Sequence, residues 1–97
     1  MKTGIQLIAE ERQRQIEKEG WTSEHDAEHK NGELAEAAAA YASAELYRRT
    51  TPEGYDNTPH IWPFEREYWK PTPDDRIREL QKAGALIAAE IDRLIGS

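Results

Sequence analysis

Residues 32–46 read GELAEAAAAYASAEL, and this stretch decides the fold because almost every position favours a helix. The apolar positions that recur at helical spacing predict one buried face, made of Leu34, Ala37, Ala38 and Tyr41. Alanines around that face let other helices approach closely on several sides. We therefore expect a central helix over about 24–49, beginning at Ser23 with a sequence typical of a capped helix start.

A first helix is predicted over about 3–19. Thr3 suits its N-cap, and Gly20 suits the position just after its end. Its apolar stripe is narrow, and Arg12 stands where the spacing calls for another apolar residue. Trp21 follows directly and can fold back over the last turn.

A third helix is predicted over about 73–95, with Thr72 and Pro73 at its start and Gly96 at its end. Alternating spacings of three and four residues give it a heptad-like seam, made of Ile77, Leu80, Gly84, Ile87, Ile91 and Leu94. A glycine inside a helix costs about 1 kcal/mol. We therefore expect Gly84 to permit a close contact with another helix.

The segment over about 50–72 lies between the second and third helices and has no sustained period. It holds four of the five prolines, and it also holds Tyr55, Trp62, Phe64, Tyr68 and Trp69. Disordered linkers are poor in aromatic residues, so this segment is predicted to be an ordered, packed loop. The expected fold is thus an all-α three-helix bundle with a long aromatic and proline-rich loop, forming one domain over 1–97.

The composition limits the classes of function. A formal charge of −6, from 19 acidic and 13 basic residues, argues against binding to duplex DNA. The absence of cysteine excludes disulfides and thiolate metal sites, and no apolar run is long enough for a membrane span or a signal core. A short, alanine-rich chain buries a modest core. We therefore expect a cytoplasmic protein that forms a homodimer or a higher homo-oligomer.

A polar stripe runs along the predicted central helix, opposite its apolar face, and consists of His25, His29, Glu33 and Glu36. Imidazoles and carboxylates one turn apart can converge on a divalent ion. Mg²⁺ would require mostly carboxylates, whereas imidazoles also admit Mn²⁺ or Zn²⁺. The alternative is an ordinary solvated face in a chain that is one-third charged.

Residues 32–37, Gly-Glu-Leu-Ala-Glu-Ala, resemble the metal-binding helix of the MazG-like all-α nucleotide pyrophosphohydrolases. In that superfamily one helix typically carries Glu-Glu-x-x-Glu, a later helix carries Glu-x-x-Asp, and the four acidic groups hold Mg²⁺ on a triphosphate. Glu33 matches the last glutamate of the first motif, while His29 and Lys30 occupy the two earlier positions. The third helix offers Glu90 and Asp92, but Ala89 stands where the glutamate of the second motif belongs.

This resemblance implies a divalent-metal-dependent pyrophosphohydrolase of nucleoside or deoxynucleoside triphosphates, in degenerate form. An ion, Mg²⁺ or Mn²⁺, would neutralise the triphosphate and activate the water that attacks the α–β linkage. Glu33 and Glu36 would be the catalytic residues. The metal ligands would come from His25, Asp26, His29, Glu33 and Glu90.

The chain as a whole also resembles small helical proteins encoded in bacteriophages and prophages. The shared stretches include Glu19-Gly20-Trp21, His25-Asp26, Trp62-Pro63 and Trp69-Lys70-Pro71. The alternative function is therefore a non-enzymatic phage accessory protein that binds a host factor or sequesters a nucleotide, which Lys30 and Ala89 favour. A third interpretation is a helical dimer whose histidines and glutamates satisfy one another in an interface.

The loop aromatics have two interpretations as well. They can stack on a nucleobase, or they can supply buried area that alanines cannot. If they bind a nucleotide, the predicted substrate-binding residues are Trp62, Trp69, Lys70 and Lys82. The sequence contains no glycine-rich phosphate loop, no Ser, His and Asp in the chain order of a catalytic triad, and no His-Glu-x-x-His motif. It therefore gives no support to a P-loop nucleotide site, a serine hydrolase or a zinc protease.

Overall fold

The computed structural model describes residues 1–50 and 58–96 and is all-helical over these ranges. It contains α1 (Gly4–Lys18), α2 (Ser23–Ala27), α3 (Glu33–Thr50) and α4 (Arg76–Ile95), with a 3₁₀ turn at Arg66–Tyr68. Three main helices with no strand in the described ranges confirm the predicted all-α class. No helix in these ranges is long and apolar enough to cross a membrane.

The ends of α1 follow the local sequence signals. Thr3 Oγ1 accepts a hydrogen bond from the Gln6 N–H at 3.2 Å, and Gln6 Oε1 accepts one from the Thr3 N–H at 2.7 Å. This reciprocal pair satisfies two backbone donors at the helix start. Gly20 adopts a φ of 73°, and the Trp21 N–H then donates to the carbonyl of Gln15 at 3.0 Å. The chain therefore turns back directly after α1.

The prediction of one continuous second helix over 24–49 is wrong. The chain forms the short α2 and the long α3, separated by residues 28–32. Asn31 and Gly32 are a turn-forming pair, and Gly32 has a φ of 84°, which a right-handed helix cannot contain. The cap of α2 is Thr22, whose hydroxyl faces the His25 N–H at 3.4 Å, and Ser23 is the first helical residue.

The start of α4 also differs from the prediction. The helix begins at Arg76, three residues after Pro73, because Asp75 Oδ1 accepts the Arg78 N–H at 3.1 Å and so acts as the N-cap. Thr72 lies in the preceding turn, where its carbonyl accepts the Asp75 N–H at 2.8 Å. The end at Gly96, with a φ of 92°, is as predicted.

The hydrophobic core lies mainly between α3 and α4. The predicted face of α3 is buried, and it packs with the small side chains and the one leucine of the inner α4 face, namely Ala83, Leu86 and Ala89. Trp62 and Trp69 complete this cluster from the segment between the helices, which confirms that part of the segment is ordered and packed. Two tryptophans supply buried area that the alanines lack. The prediction for Tyr55 lies outside the described residues.

Buried ion pairs tie the helices together. Glu79 of α4 is fully buried, and its carboxylate accepts two hydrogen bonds of 2.7 Å from the Arg48 guanidinium of α3. Arg76 Nη1 and the Thr72 N–H add bonds at 3.2 and 3.1 Å. Burial by itself raises the pKa of Glu79, but the hydrogen bonds from Arg48 and Arg76 outweigh it and hold the pKa below its usual range.

The heptad-like seam of α4 is not part of this core. Its branched side chains are between 46% and 69% exposed, whereas the face that packs inward carries Glu79, Ala83, Ala85, Leu86 and Ala89. A seam expected to pack within a three-helix bundle is thus on the surface of the protomer. The alanine-rich α3 explains why the other face of α4 packs inward, because helices approach most closely where both faces carry small residues.

Candidate functional site

A cavity of about 580 Å³ opens between α2, α3, α4 and the segment 62–68. Small-molecule sites in proteins typically enclose about 300–1,000 Å³. We call this cavity the aromatic pocket because ring side chains form most of its wall, namely Trp21, His25, His29, Trp62, Phe64 and Tyr68. Leu34 and Leu86 also line it, and both belong to the buried core, while Glu19, Pro63 and Glu65 complete the lining.

The rings contact one another in sequence around the pocket. Trp21 and His25 are nearly parallel, with an interplanar angle of 4° and centroids 5.9 Å apart. His25 contacts His29 edge to face at 4.7 Å, and His29 contacts Phe64 in the same way at 5.1 Å. Phe64 then meets Trp62 at 5.5 Å. This wall joins the polypeptide before α3 to the polypeptide after it.

The two imidazoles face each other, with their Nε2 atoms 3.4 Å apart. His25 Nδ1 lies 3.1 Å from Oδ1 of Asp26, which is buried. This contact places the hydrogen of a neutral His25 on Nδ1 and leaves a lone pair on Nε2. His29 Nδ1 lies 3.8 Å from Oε2 of Glu33. Each imidazole therefore has a carboxylate on the side away from the other imidazole.

Arg12 of α1 holds this arrangement in place. Its Nη2 donates to Oδ2 of Asp26 at 2.9 Å, and its Nη1 lies 3.4 Å from the carbonyl of Trp21. Arg12 Nη2 is also 3.8 Å from Asp92 of α4. The arginine that interrupts the apolar stripe of α1 is thus the partner of a buried carboxylate, and it links α1 to α2 and to Trp21, which precedes α2.

The far side of the pocket is fixed by the backbone of the segment 59–69. The Trp62 N–H donates to the carbonyl of Pro59 at 2.9 Å, and the Trp62 indole Nε1 donates to the carbonyl of Glu65 at 3.1 Å. Trp62 also packs edge to face on Tyr41 of α3, with centroids 5.5 Å apart. A buried indole with a satisfied N–H is a rigid wall for a ligand site.

The acidic residues predicted as metal ligands or catalysts do not converge on one point. Arg93 donates to both carboxylate oxygens of Glu90, at 2.6 and 3.0 Å, and these bonds keep the pKa of Glu90 below its usual range. Backbone hydrogen bonds, from the N–H groups of Glu33 itself and of Asn31, lower the pKa of Glu33. Glu36 is exposed. In the ranges 1–50 and 58–96, no three His, Asp or Glu side chains gather as a metal centre requires.

The predicted substrate-binding residues lie in three different places. Trp62 lines the aromatic pocket, whereas Trp69 is buried against Tyr41, with ring centroids 4.7 Å apart, and lines neither cavity. Lys70 and Lys82 line a second cavity of about 50 Å³. This second cavity shares Glu19, Trp21, Tyr68 and Leu86 with the aromatic pocket, so the two are adjacent.

Sequence reasoning missed Trp21 and Arg12 as residues of the site. Trp21 could have been found from its spacing, because it lies four residues before His25, the distance at which two side chains share one face of a helix. The spacing is a weak indication here, since Trp21 precedes the helix and its cap. The signal for Arg12 is its position in an apolar stripe, which in a folded protein requires a buried partner. No protein-family model, curated protein or solved structure matches this chain.

Proposed function

We propose that this protein binds a nucleotide without covalent chemistry, with the base between the rings of the aromatic pocket and the phosphates toward Lys70 and Lys82. The observation that carries the proposal is the continuous wall of rings around a cavity of small-molecule size. Aromatic side chains stack on the face of any base. His25 and His29 line the pocket and add hydrogen-bonding groups that can orient the base.

The second cavity supports the phosphate end of this proposal. Lys82 Nζ donates to the carbonyl of Lys70 at 2.7 Å and lies 5.4 Å from the centre of the Tyr41 ring. Burial lowers the pKa of Lys82. Within the described part of the chain, neither the Lys70 nor the Lys82 ammonium pairs with a carboxylate. An ammonium that is partly removed from water gains more from a phosphate than a fully solvated one.

Hydrolysis of the bound nucleotide is the second candidate function, and the geometry of the two histidines favours it. Two imidazole nitrogens on one tetrahedral ion, each about 2.0–2.1 Å from it, lie roughly 3.3 Å apart. The observed separation of the two Nε2 atoms is 3.4 Å. A metal-binding imidazole usually donates its other N–H to a carboxylate, and Asp26 is placed for this behind His25 at 3.1 Å. Glu33 lies behind His29 at 3.8 Å, which is longer than a hydrogen bond.

Two imidazoles are fewer ligands than a metal centre requires, so an ion here would need further ligands from the nucleotide or from water. Imidazole suits Mn²⁺ or Zn²⁺ better than Mg²⁺. Mg²⁺ prefers oxygen ligands. Two of the carboxylates predicted to supply them are held by guanidinium groups, Asp26 by Arg12 and Glu90 by Arg93. His25 and His29 would hold the ion, which would act as a Lewis acid on a phosphate oxygen. With an ion bound, Asp26 would orient His25 through the same contact with Nδ1 that the structure shows.

The binding proposal is tested by calorimetric titration of the whole protein with ATP, adenosine and ribose 5-phosphate. We expect ATP to bind more tightly than adenosine, and ribose 5-phosphate to bind more weakly than either. Tyr68→Ala removes an exposed ring that lines both cavities and should weaken ATP binding about 10-fold. Ile61→Ala is the matched control, since Ile61 is exposed in the same segment and lines neither cavity.

Absence of binding by ATP and by the other common nucleoside triphosphates would contradict the proposal. The hydrolytic candidate is tested by pyrophosphate release with Mn²⁺, Zn²⁺ or Mg²⁺ in turn. Release with Mn²⁺ or Zn²⁺ that is lost in His29→Gln and kept in Glu36→Gln would support hydrolysis at the imidazole pair. Binding without release under any of the three ions would support sequestration.

A further inference from the structure

The seam of α4 is an exposed apolar surface within the part of the chain that the structure describes. We call it the α4 strip, and it consists of Ile77, Leu80, Gly84, Ile87, Ile91 and Leu94. Its five branched side chains are 46–69% exposed, and together they present roughly 500 Å² of apolar surface. The largest apolar patch of a typical monomer has about this size, and such patches are often functional.

The strip is continuous even though a glycine interrupts it. A Cβ on Gly84 would lie 2.5 Å from Cδ1 and 2.7 Å from Cγ1 of Ile8, so the Ile8 side chain of α1 occupies the space that the glycine leaves. Ile5, one helical turn before Ile8, is 82% exposed. The surface therefore extends from α4 onto α1.

We propose that the α4 strip is the interface with a second copy of this chain, with the two α4 helices antiparallel. The spacings along the strip are three, four, three, four and three, and they read the same in both directions. A two-fold axis between residues 85 and 86 therefore superimposes the strip on itself. The resulting layers pair Ile77 with Leu94 and Leu80 with Ile91 of the other copy. Ile87 of the other copy would meet the Ile8 side chain that covers Gly84.

This order is compatible with an isologous interface, in which each contact occurs twice. The residues that flank the strip on the α1 side are Gln81, Ala88 and Ile95, and none of them carries a charge. Two copies can therefore approach on that flank without bringing like charges together.

The area available for burial is close to the minimum that a specific dimer needs. Complete burial of both strips would remove roughly 1,000 Å² of side-chain surface from water, and the α1 residues Ile5 and Ile8 would add to it. A specific interface should exceed about 1,000 Å² in total, so these α1 residues are part of the proposed interface. The proposal does not depend on what the aromatic pocket binds.

Disulfide cross-linking tests both the interface and its direction, because the chain has no cysteine of its own. We expect the double variant Leu80→Cys/Ile91→Cys to form a covalent dimer on mild oxidation, and each single variant to stay uncross-linked. In the antiparallel dimer, two copies of residue 80 are about 16 Å apart along the axis, which is too far for a disulfide. Rapid cross-linking of both single variants would indicate a parallel pairing and overturn the proposal.

Sedimentation of the unmodified protein at several micromolar concentrations supplies the second readout. A dimer that Leu80→Glu/Ile91→Glu weakens at least about 100-fold would support the proposal. Ile61→Glu is the control, because Ile61 has comparable exposure, 43%, and lies outside α1 and α4. Circular dichroism establishes that the variants stay helical. A monomer at all these concentrations would overturn the proposal and leave the strip to a different protein.

Discussion

Ile8 fills the notch that Gly84 leaves in α4, and three of its side-chain carbons lie within 3.2 Å of where a Gly84 Cβ would be. This contact joins α1 to α4 at the middle of the α4 strip. It explains why a residue that weakens a helix stands inside one. The same contact makes the effect of a substitution at Gly84 depend on residue 8.

Gly84→Ala should lower the free energy of unfolding by about 1–2 kcal/mol, because the new methyl group displaces Ile8. In an Ile8→Ala background the same change should raise it by about 1 kcal/mol, since only the gain in helix propensity remains. Urea denaturation of the four proteins at one fixed concentration measures both effects. Equal effects in the two backgrounds would show that Ile8 does not fill the notch.

Glu79→Gln should destabilise the protein by about 3 kcal/mol. The substitution removes the charge that pairs with Arg48 and Arg76, while the side chain keeps its size. Glu45→Gln is a suitable control, because Glu45 pairs with the same Arg76 at 3.3 Å but is half exposed. It should cost less than about 1 kcal/mol. Similar costs for both variants would be inconsistent with a buried network at Glu79.

Stability should decline as the pH falls below the ordinary carboxyl value of 4.5. Glu11 and Glu79 are buried, and burial alone would raise their pKa values, but arginine partners hold both below that value. The unfolded chain therefore takes up protons first on acidification, so the stabilisation is complete above 4.5 and is lost as the pH drops through the folded-state values. Denaturant titrations at several pH values measure the slope, which should be shallower in Glu79→Gln. A slope unchanged by that substitution would exclude Glu79 as a contributor.

Gly32→Ala should destabilise the turn between α2 and α3. A Cβ there meets no atom within 4 Å, so the cost comes from the φ of 84° and is about 1 kcal/mol. Gly32→Asn should cost less, because asparagine tolerates this conformation. Thermal unfolding distinguishes the two variants, and equal melting temperatures would argue against backbone strain as the cause.

The same turn sets the position of His29 relative to Glu33. Gly32→Ala should therefore also weaken the proposed binding of a nucleotide in the aromatic pocket.

The sequence predicted the features that short-range spacing controls. The buried face of α3, the capping of α1 by Thr3 and the end of α4 at Gly96 all depend on residues a few positions apart. Two local signals conflicted at Asn31-Gly32. The spacing of the side chains indicated a continuous helix, whereas the Asn-Gly pair is typical of a turn. The spacing argument placed His25, His29 and Glu33 on one helix, whereas the positive φ of Gly32 separates them into a helix, a turn and a second helix.

The candidate site was only partly predictable, because its parts lie far apart in the chain. His25, His29 and Trp62 were singled out from the sequence, but Trp21 lines the same pocket as residues about forty positions later in the chain, which only the packing of the helices brings near it. The ion pairs that occupy Asp26 and Glu90 decide which carboxylates are available to a ligand. Arg12 is fourteen positions from Asp26, so helical spacing cannot reveal that pair.

By itself, the sequence determined the helical class and the buried face of α3, since both follow from hydrogen bonding and periodicity within one helix. For α4 it indicated the seam that the structure leaves exposed. Only the tertiary structure decided which of the two apolar faces of α4 is buried. The alanine-rich α3 packs against the small residues Ala83 and Ala89, where the helices can approach most closely, and this leaves the larger isoleucines and leucines on the surface. That choice creates both the aromatic pocket beside Leu86 and the uncovered α4 strip.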